Sequence, residues 1–186
     1  MTPILGTIAS SWKSEIGNYY SISSETLSST SSTITFSSIP STYKHLELRL
    51  TTRSSINGVS GQLRFNNDTG NNYFFAEQYV EKTAGANSRA NSSSTSLSYF
   101  PVTNSPAANN FFGVSIVQIP NYTNLNWHKA FTSIQGWHDN ELNSPSGYTS
   151  FRTGSWYSTS AINLITITVS GVYAVGSTFA LYGITE

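Results

Sequence analysis

The sequence predicts an all-β protein, an antiparallel β-sandwich of jelly-roll type with an extended N-terminal arm. Three observations support this prediction. Apolar and polar residues alternate along most of the 186-residue chain, and this two-residue period is typical of a strand with one buried face. Clusters of Asn, Asp and Gly separate the alternating segments, and no segment has the spacing of a helix. Aromatic residues make up 13% of the chain and can fill a core, although hydrophobic residues reach only 38%.

The predicted strands follow one another with short connections. In the clearest of them, YKHLELRLTT at 43–52, three leucines point to one side and His45, Glu47 and Arg49 point to the other. The segment FFGVSIVQIPNY has apolar residues on both sides, so both of its faces are predicted to be covered. The other predicted strands are, in chain order, NYYSIS, STITFSSI, GQLRFNN, NYFFAEQYVEK, NWHKAFTSIQGWHD, YTSFRTGSWYS, INLITITVSGVY and FALYGIT.

Turns and loops are predicted between these strands. Segment 83–96 lacks large apolar residues and is predicted to be a long exposed loop. The Ser-rich stretch 23–35 fits either a flexible linker or a strand of Thr and Ser. Asn, Asp and Gly tolerate positive φ and bond to their own backbone, which predicts turns at Asn57-Gly58, Asn66–Asn72, Ser144–Gly147 and Thr153-Gly154.

Composition excludes several classes of partner and chemistry. Only 10% of the residues are charged and the formal net charge is zero, so no basic stripe for nucleic acid is predicted. No basic amphipathic segment and no run of about 20 apolar residues predicts a membrane contact. The chain has no cysteine, which excludes disulfides and thiolate chemistry. Its start lacks the pattern of a signal peptide, so we expect synthesis in a reducing cytoplasm.

The candidate catalytic triplet has a plainer interpretation as a turn. Asp68-Thr69-Gly70 matches the triplet of aspartic proteases, whose chemistry needs two carboxylates that share a proton. The only other aspartate, Asp139, has no matching triplet. The surrounding FNNDTGNN is a run of turn residues, so a turn is predicted.

The remaining acids and histidines are interpreted as polar surface residues. Two histidines ten positions apart on a straight strand are too distant to share a metal ion. Exposed strand glutamates are usually solvated. We therefore predict no catalytic, cofactor-binding or metal-binding residue. The residues considered are His128, His138, Asp139, Glu141, Glu47, Glu77 and Glu81.

Aromatic and apolar residues are the remaining candidates for a binding surface. Most aromatic residues are expected in the core, and a protein interface or a sugar-binding surface are the alternatives for the rest. The apolar start of the chain and the tyrosines that follow are predicted to form a protein interface: Ile4, Leu5, Ile8, Trp12, Tyr19 and Tyr20. Three more aromatic residues are predicted at an exposed loop end: Tyr99, Tyr122 and Trp156.

Three motifs have a recognisable form: TITFSSIPSTYKHLELRLTTRS, LRFNNDTGNNY and INLITITVSGVYAVGSTFALYGI. Together they resemble a group of tailed-bacteriophage virion structural proteins that is common among marine and cyanobacterial phages. The resemblance spans about residues 33–186. The matching positions are Phe36, Ser38, Ile39, Pro40, Tyr43, Leu46, Phe65, Asn66, Asp68, Asn72, Tyr73, Gly176, Ser177, Phe179, Leu181, Tyr182, Gly183 and Ile184.

The resemblance implies a non-enzymatic virion protein of the capsid surface or tail, made in the cytoplasm of a host bacterium. Such a protein would decorate or cement the capsid by binding the major capsid protein, other virion proteins or copies of itself, a trimer being one arrangement. The sandwich would occupy 33–186 with the final strand inside a sheet, and 1–32 would be an arm or first strands. The alternative is a tail-fibre or receptor-binding module that recognises host surface carbohydrate. No nucleic acid, membrane or cofactor is expected.

Overall fold

The computed structural model describes residues 18–56, 60–81, 84–101, 111–138 and 147–185. In these ranges the chain forms antiparallel strands in two sheets packed as a sandwich, and no helix, which confirms the predicted all-β class. The strands are β1 (Tyr19–Thr26), β2 (Ser31–Phe36), β3 (His45–Thr52), β4 (Ser60–Phe65), β5 (Tyr73–Glu81), β6 (Gly85–Ser94), β7 (Leu97–Pro101), β8 (Gly113–Pro120), β9 (Lys129–His138), β10 (Gly147–Trp156), β11 (Ile165–Tyr173) and β12 (Thr178–Ile184).

The two sheets differ in size. The larger has eight strands in the order β1-β12-β3-β8-β9-β10-β5-β6, and the smaller has four in the order β2-β11-β4-β7. Two hairpins, β5–β6 and β9–β10, account for the extra width, and they meet where β10 pairs with β5. Without these hairpins, most successive strands alternate between the sheets. The strand β12 lies between β1 and β3, as expected for a closing strand inside a sheet.

The core lies between the sheets and is lined by every second residue of the central strands. On β3 the three leucines of the predicted apolar side are buried, and Ile165 and Ile167 of β11 oppose them from the smaller sheet. Phe179 and Leu181 of β12 are fully buried in the same layer. Each such side chain contributes about 1.5–3 kcal/mol when removed from water. This burial fixes which face of the larger sheet points inward.

The structure corrects two predicted connections. Segment 83–96 is not a long loop, because 85–94 form β6, which pairs with β5 along its length. Thr153-Gly154 is not a turn but lies inside β10. Gly154 is needed there for packing, since a Cβ atom would lie 2.3 Å from the Phe74 carbonyl oxygen and 2.5 Å from the Phe131 ring.

Two other stretches show how polar sequences become ordered. The Ser-rich stretch 23–35 contributes to β1 and β2, so the strand alternative is the one observed. Between these strands Leu27 is buried, and its backbone exchanges hydrogen bonds with Gly176 and Ser177. The predicted turn at 66–72 is confirmed, with Asn66 and Asn67 at φ of 51° and 56°. The predicted turn residues 57–58 and most of 144–147 lie outside the described residues.

Candidate interaction surfaces

The face of the larger sheet that points away from the core has an apolar row at its centre. Ile116 of β8 lies opposite Ile134 of β9, and Ile134 lies opposite Phe151 of β10. Residues opposite one another in antiparallel strands share a face and touch. The three side chains are 42%, 63% and 51% exposed, respectively. We call these three residues the apolar row. They form a continuous apolar surface across three strands.

Uncharged residues surround the apolar row on β8, β9, β10, β5 and β6, whereas on β3 Arg49 lies opposite Ile116 and borders it. The strand register places three parallel rows across β8, β9, β10, β5 and β6, and every residue in them is neutral. Val114 and Val80 in one flanking row are also more than half exposed. We call this set the neutral face. Its members are Ile116, Ile134, Phe151, Gln78 and Ser88; Val114, Gly136, Thr149, Val80 and Ala86; and Gln118, Thr132, Thr153, Ala76 and Ala90.

A compensated charge cluster borders the neutral face on β3. Glu47 accepts hydrogen bonds from Arg49 Nε at 2.7 Å, and from Tyr19 Oη and Gln118 Nε2 at 3.1 Å each. The Arg49 guanidinium lies over the Tyr182 ring, 4.8 Å from its centroid. Burial alone would raise the pKa of Glu47, but these hydrogen bonds outweigh it and lower that pKa. Glu47 is therefore buried and paired, which corrects its interpretation as a solvated strand residue.

A second buried carboxylate, Glu77, lies on the opposite face of the larger sheet. Arg89 Nε lies 2.5 Å from Glu77 Oε2, and Arg152 Nη2 lies 3.0 Å from Oε1. Tyr148 Oη and Gln135 Nε2 also donate to Oε1. The cluster thereby joins β5, β6, β9 and β10, and Arg152 Nη1 adds a bond to the carbonyl of Ser98 on β7, in the smaller sheet. Glu77 is thus also not solvated, contrary to the interpretation from sequence.

The environment of Glu77 keeps it ionised. Burial alone would raise its pKa, but hydrogen bonds from Ser150, Tyr148 and Arg89, and the charge of Arg152, lower it to about 2. Burial of Tyr148 and the hydrogen bond that it donates to Glu77 raise the pKa of Tyr148 to about 12. A general base that works near neutral pH needs a pKa close to that pH. Glu77 is therefore a structural ion rather than a proton acceptor.

Glu47 and Glu77 cannot act together on one bond. The register places Glu47, Gln118, Thr132, Thr153 and Ala76 on one face, and Glu77, the next residue along β5, points to the other. Glycoside cleavage by two carboxylates needs both to flank one scissile bond in a single cleft, about 5–10 Å apart. The buried acids of the two clusters are therefore separated by the sheet itself.

Asp68 forms the turn that its sequence predicts. Its Oδ1 accepts from Gly70 N at 2.8 Å, and its Oδ2 accepts from Trp156 Nε1 at 2.6 Å and Asn72 Nδ2 at 2.8 Å. Burial opposes ionisation, but the hydrogen bonds outweigh it and lower the pKa of Asp68.

Among the described residues no group of three or more His, Cys, Asp or Glu could hold a metal ion. Asp139 and Glu141 lie outside them.

The aromatic residues predicted at an exposed loop end are not exposed where the structure describes them. Tyr122 is fully buried, with its hydroxyl donating to the Pro40 carbonyl. Trp156 is also buried, with its ring 5.6 Å from that of Phe65. Both prefer the core because each polar atom finds a partner there. Tyr99 lies in β7, but its side chain lies outside the described part.

Two residues of the predicted N-terminal interface are described. Tyr19 and Tyr20 lie on β1, an edge strand of the larger sheet, and each is about half exposed. Consecutive strand residues point to opposite faces. Tyr19 bonds to Glu47, whereas Tyr20 stacks on Tyr43 with ring centroids 5.8 Å apart. The other four residues, Ile4, Leu5, Ile8 and Trp12, lie outside the described residues.

Comparisons with protein-family models, with curated proteins and with solved structures give no match to this chain. Within the ranges that the structure describes, no helix is long and apolar enough to cross a bilayer. The neutral face has the features of a protein contact, because interface cores lack charge and contain exposed large apolar side chains in the free protein.

Proposed function

We propose that this protein is a non-enzymatic structural protein of a tailed-phage virion, which decorates or cements the capsid through protein–protein contacts. The exposed apolar row at the centre of the neutral face supports the protein–protein contacts most directly. The assignment to a phage virion rests on the resemblance of the three sequence motifs. Exposed isoleucine and phenylalanine are costly in water, and a partner surface removes that cost. The neutral face also avoids the desolvation penalty that buried charges impose on an interface.

The size of the neutral face fits a contact repeated on a lattice. Five strands spaced about 4.8 Å apart make it about 24 Å wide. An interface of this width lies at the small end of specific contacts, so one copy would bind weakly. Many copies that bind a capsid lattice and each other would gain avidity without further contacts in any one interface.

Strand β6 offers a second way to contact a neighbour. It is one of the two edge strands of the larger sheet and has no proline over Gly85–Ser94. Its one charged residue, Arg89, is directed at Glu77 and not outward along the edge. The free backbone groups of such an edge can pair with a strand of another protein. A second copy or another virion protein is the partner that we propose for this edge.

The strand order is consistent with a jelly roll. Without the two hairpins, the sheets read β1-β12-β3-β8 and β2-β11-β4-β7, an order that fits the two Greek keys of an eight-stranded jelly roll. Capsid proteins and lectins both use this architecture. It therefore supports either a capsid-surface protein, the function proposed above, or the alternative of a carbohydrate-recognising fibre module.

Co-sedimentation with capsids that lack the protein tests the proposed function. We expect stoichiometric binding of the wild-type protein to tailless heads as well as to complete particles. The double variant Ile134→Thr/Phe151→Thr keeps strand-forming residues but removes the apolar row, and we expect at least tenfold weaker binding. Trp127→Ala, which changes an exposed residue outside the neutral face, should bind as wild type. Absence of wild-type binding, or binding only when tails are present, would overturn the capsid assignment.

A further inference from the structure

We propose that exposed aromatic residues beside the neutral face form a binding platform for neutral carbohydrate. The platform consists of Trp127 and His128, which precede β9, and Tyr157, which follows β10. Trp127 and Tyr157 are 62% and 58% exposed, and the rings of His128 and Tyr157 lie 5.1 Å apart. These rings therefore face solvent in a surface that is otherwise rich in Ser, Thr and Asn.

A buried lysine fixes the backbone under the platform. Lys129 is 2% exposed, and its ammonium donates to three backbone carbonyls: Asn124 at 2.6 Å, Trp127 at 3.1 Å and Thr159 at 3.0 Å. Burial opposes the charged form and lowers the pKa of this lysine. All three donors of the ammonium are therefore used to join the connection before β9 to the segment after β10. The result is that the two parts of the platform are held at a fixed separation.

The connection that bears Trp127 has further anchors. Asn124 Oδ1 accepts from Asn126 N at 2.7 Å, and Asn124 N donates to the Asn121 carbonyl at 3.0 Å. The buried Tyr122 receives a backbone hydrogen bond from Ile162, which follows the Tyr157 segment. The connection is thus pinned at its start, middle and end. Preorganised side chains lose little entropy on binding, which is the property of a recognition site.

The chemistry of the platform favours a neutral sugar over other ligands. Residues 121–128 and 156–162 include no Asp, Glu, Lys or Arg, so an anionic polymer finds no exposed counter-charge there. Single-stranded nucleic acid needs a positive groove beside its stacking rings. The apolar face of a pyranose ring, in contrast, stacks on Trp and Tyr without charge. The exposed residues Asn126, Thr159 and Ser160 add amide and hydroxyl groups next to the rings in the chain.

Affinity electrophoresis in native gels tests the platform. The probes are the neutral polysaccharides dextran, mannan, galactomannan and xyloglucan, with anionic alginate as the charged comparison. We expect at least one neutral probe to retard the wild-type protein, and at least a tenfold rise in the dissociation constant for Trp127→Ala and for Tyr157→Ala. Ile134→Thr, on the neutral face, should be retarded as wild type. No retardation by any neutral probe, retardation by alginate alone, or insensitivity to both substitutions would overturn the proposal.

The role of Lys129 has its own test. Lys129→Met replaces the stem of the lysine by an unbranched side chain that is one atom shorter and removes the ammonium, so the platform loses its common anchor. We expect a folded protein by circular dichroism that is retarded at least fivefold less strongly by the same neutral probe. A folded variant with unchanged retardation would contradict the role given to Lys129. Because the capsid test and this test change different residues, one can fail while the other succeeds.

Discussion

Glu77 on β5 and Arg152 on β10 form an ion pair in which neither side chain is exposed to solvent, with Arg152 Nη2 3.0 Å from Glu77 Oε1. The two residues belong to different hairpins, 75 positions apart in the chain. A buried pair of this kind adds little stability over apolar side chains of equal volume. Removal of either partner, in contrast, is strongly destabilising, because it leaves an uncompensated charge in the interior. We propose that this dependence favours the register in which the two hairpins meet.

Substitution of Glu77 tests this dependence. We expect Glu77→Gln to lower the free energy of unfolding by about 3–5 kcal/mol, because Arg152 then remains buried without its counter-ion. Urea denaturation followed by tryptophan fluorescence measures the change. Glu81→Gln is the control, because Glu81 lies further along the same strand and is partly exposed. This substitution should change stability by less than about 0.5 kcal/mol. Equal unfolding midpoints for the two variants would rule out this role for Glu77.

The same cluster predicts how stability depends on pH. The pKa of Glu77 falls from an ordinary value of 4.5 to about 2 on folding, so the folded state favours the ionised form. Its contribution is present above pH 4.5 and is lost as the pH falls towards 2, by about 3 kcal/mol. The unfolding temperature measured from pH 6 to pH 2 should therefore drop in that window. Glu77→Gln should show a shallower drop, the remainder arising from Glu47 and Asp68, whose pKa values are also lowered.

Gly154 allows β10 to pack against its neighbours, and alanine should not be accepted there. The added Cβ atom would overlap the Phe74 carbonyl oxygen and the Phe131 ring, and the former belongs to the backbone of a paired strand. We expect Gly154→Ala to destabilise the protein by about 1–3 kcal/mol, as other cases of overpacking do. Thr153→Ala on the exposed side of the same strand is the matched control. A thermal scan that finds Gly154→Ala as stable as this control would contradict the packing role given to Gly154.

Asp68 is expected to act in stability and not in proteolysis. Asp68→Ala removes the acceptor for Trp156 Nε1, Asn72 Nδ2 and Gly70 N, and leaves a buried indole N–H without a partner. The expected loss is about 1–3 kcal/mol, with a shift in the fluorescence of Trp156. Thr69→Ala, at an exposed position of the same turn, provides the comparison. Stability equal to that of Thr69→Ala would contradict the anchoring role.

Strand positions could be predicted because alternation is a local property of the chain. β6 could not, because GANSRANSSS has no apolar side, and its order comes from backbone pairing with β5 and from the Arg89–Glu77 pair. The apolar residues on both sides of β8 predicted that both of its faces are covered, and this is wrong for one face. The smaller sheet covers Val117 and Ile119, and leaves Val114 and Ile116 exposed. Which side is covered depends on a sheet formed by distant segments, and no local pattern contains that information.

The buried acids and the exposed aromatic residues were missed for the same reason. Glu47 and Glu77 look like solvated strand residues, because their partners are brought near only by the fold. The loop-end prediction named Tyr99, Tyr122 and Trp156. Tyr122 and Trp156 are buried, whereas Trp127 and Tyr157, close to them in the chain, are among the exposed aromatic residues of the described ranges. Trp156 and Tyr157 are consecutive in the chain. If the register assumed for a strand is wrong by one residue, the buried and the exposed member of such a pair are exchanged. A one-residue uncertainty of this kind moves a site from the surface to the interior.

The seam between β10 and β5 also has a consequence for folding. Each hairpin can form from contacts that are close in sequence, but the seam joins residues far apart in the chain, and such pairings form slowly. We therefore expect the widened half of the larger sheet to assemble last, and to exchange its amide hydrogens before the central strands do. The neutral face is complete only after that step. A chain that has not finished folding would lack the surface proposed to attach it to the particle, so maturation of the monomer would precede its incorporation.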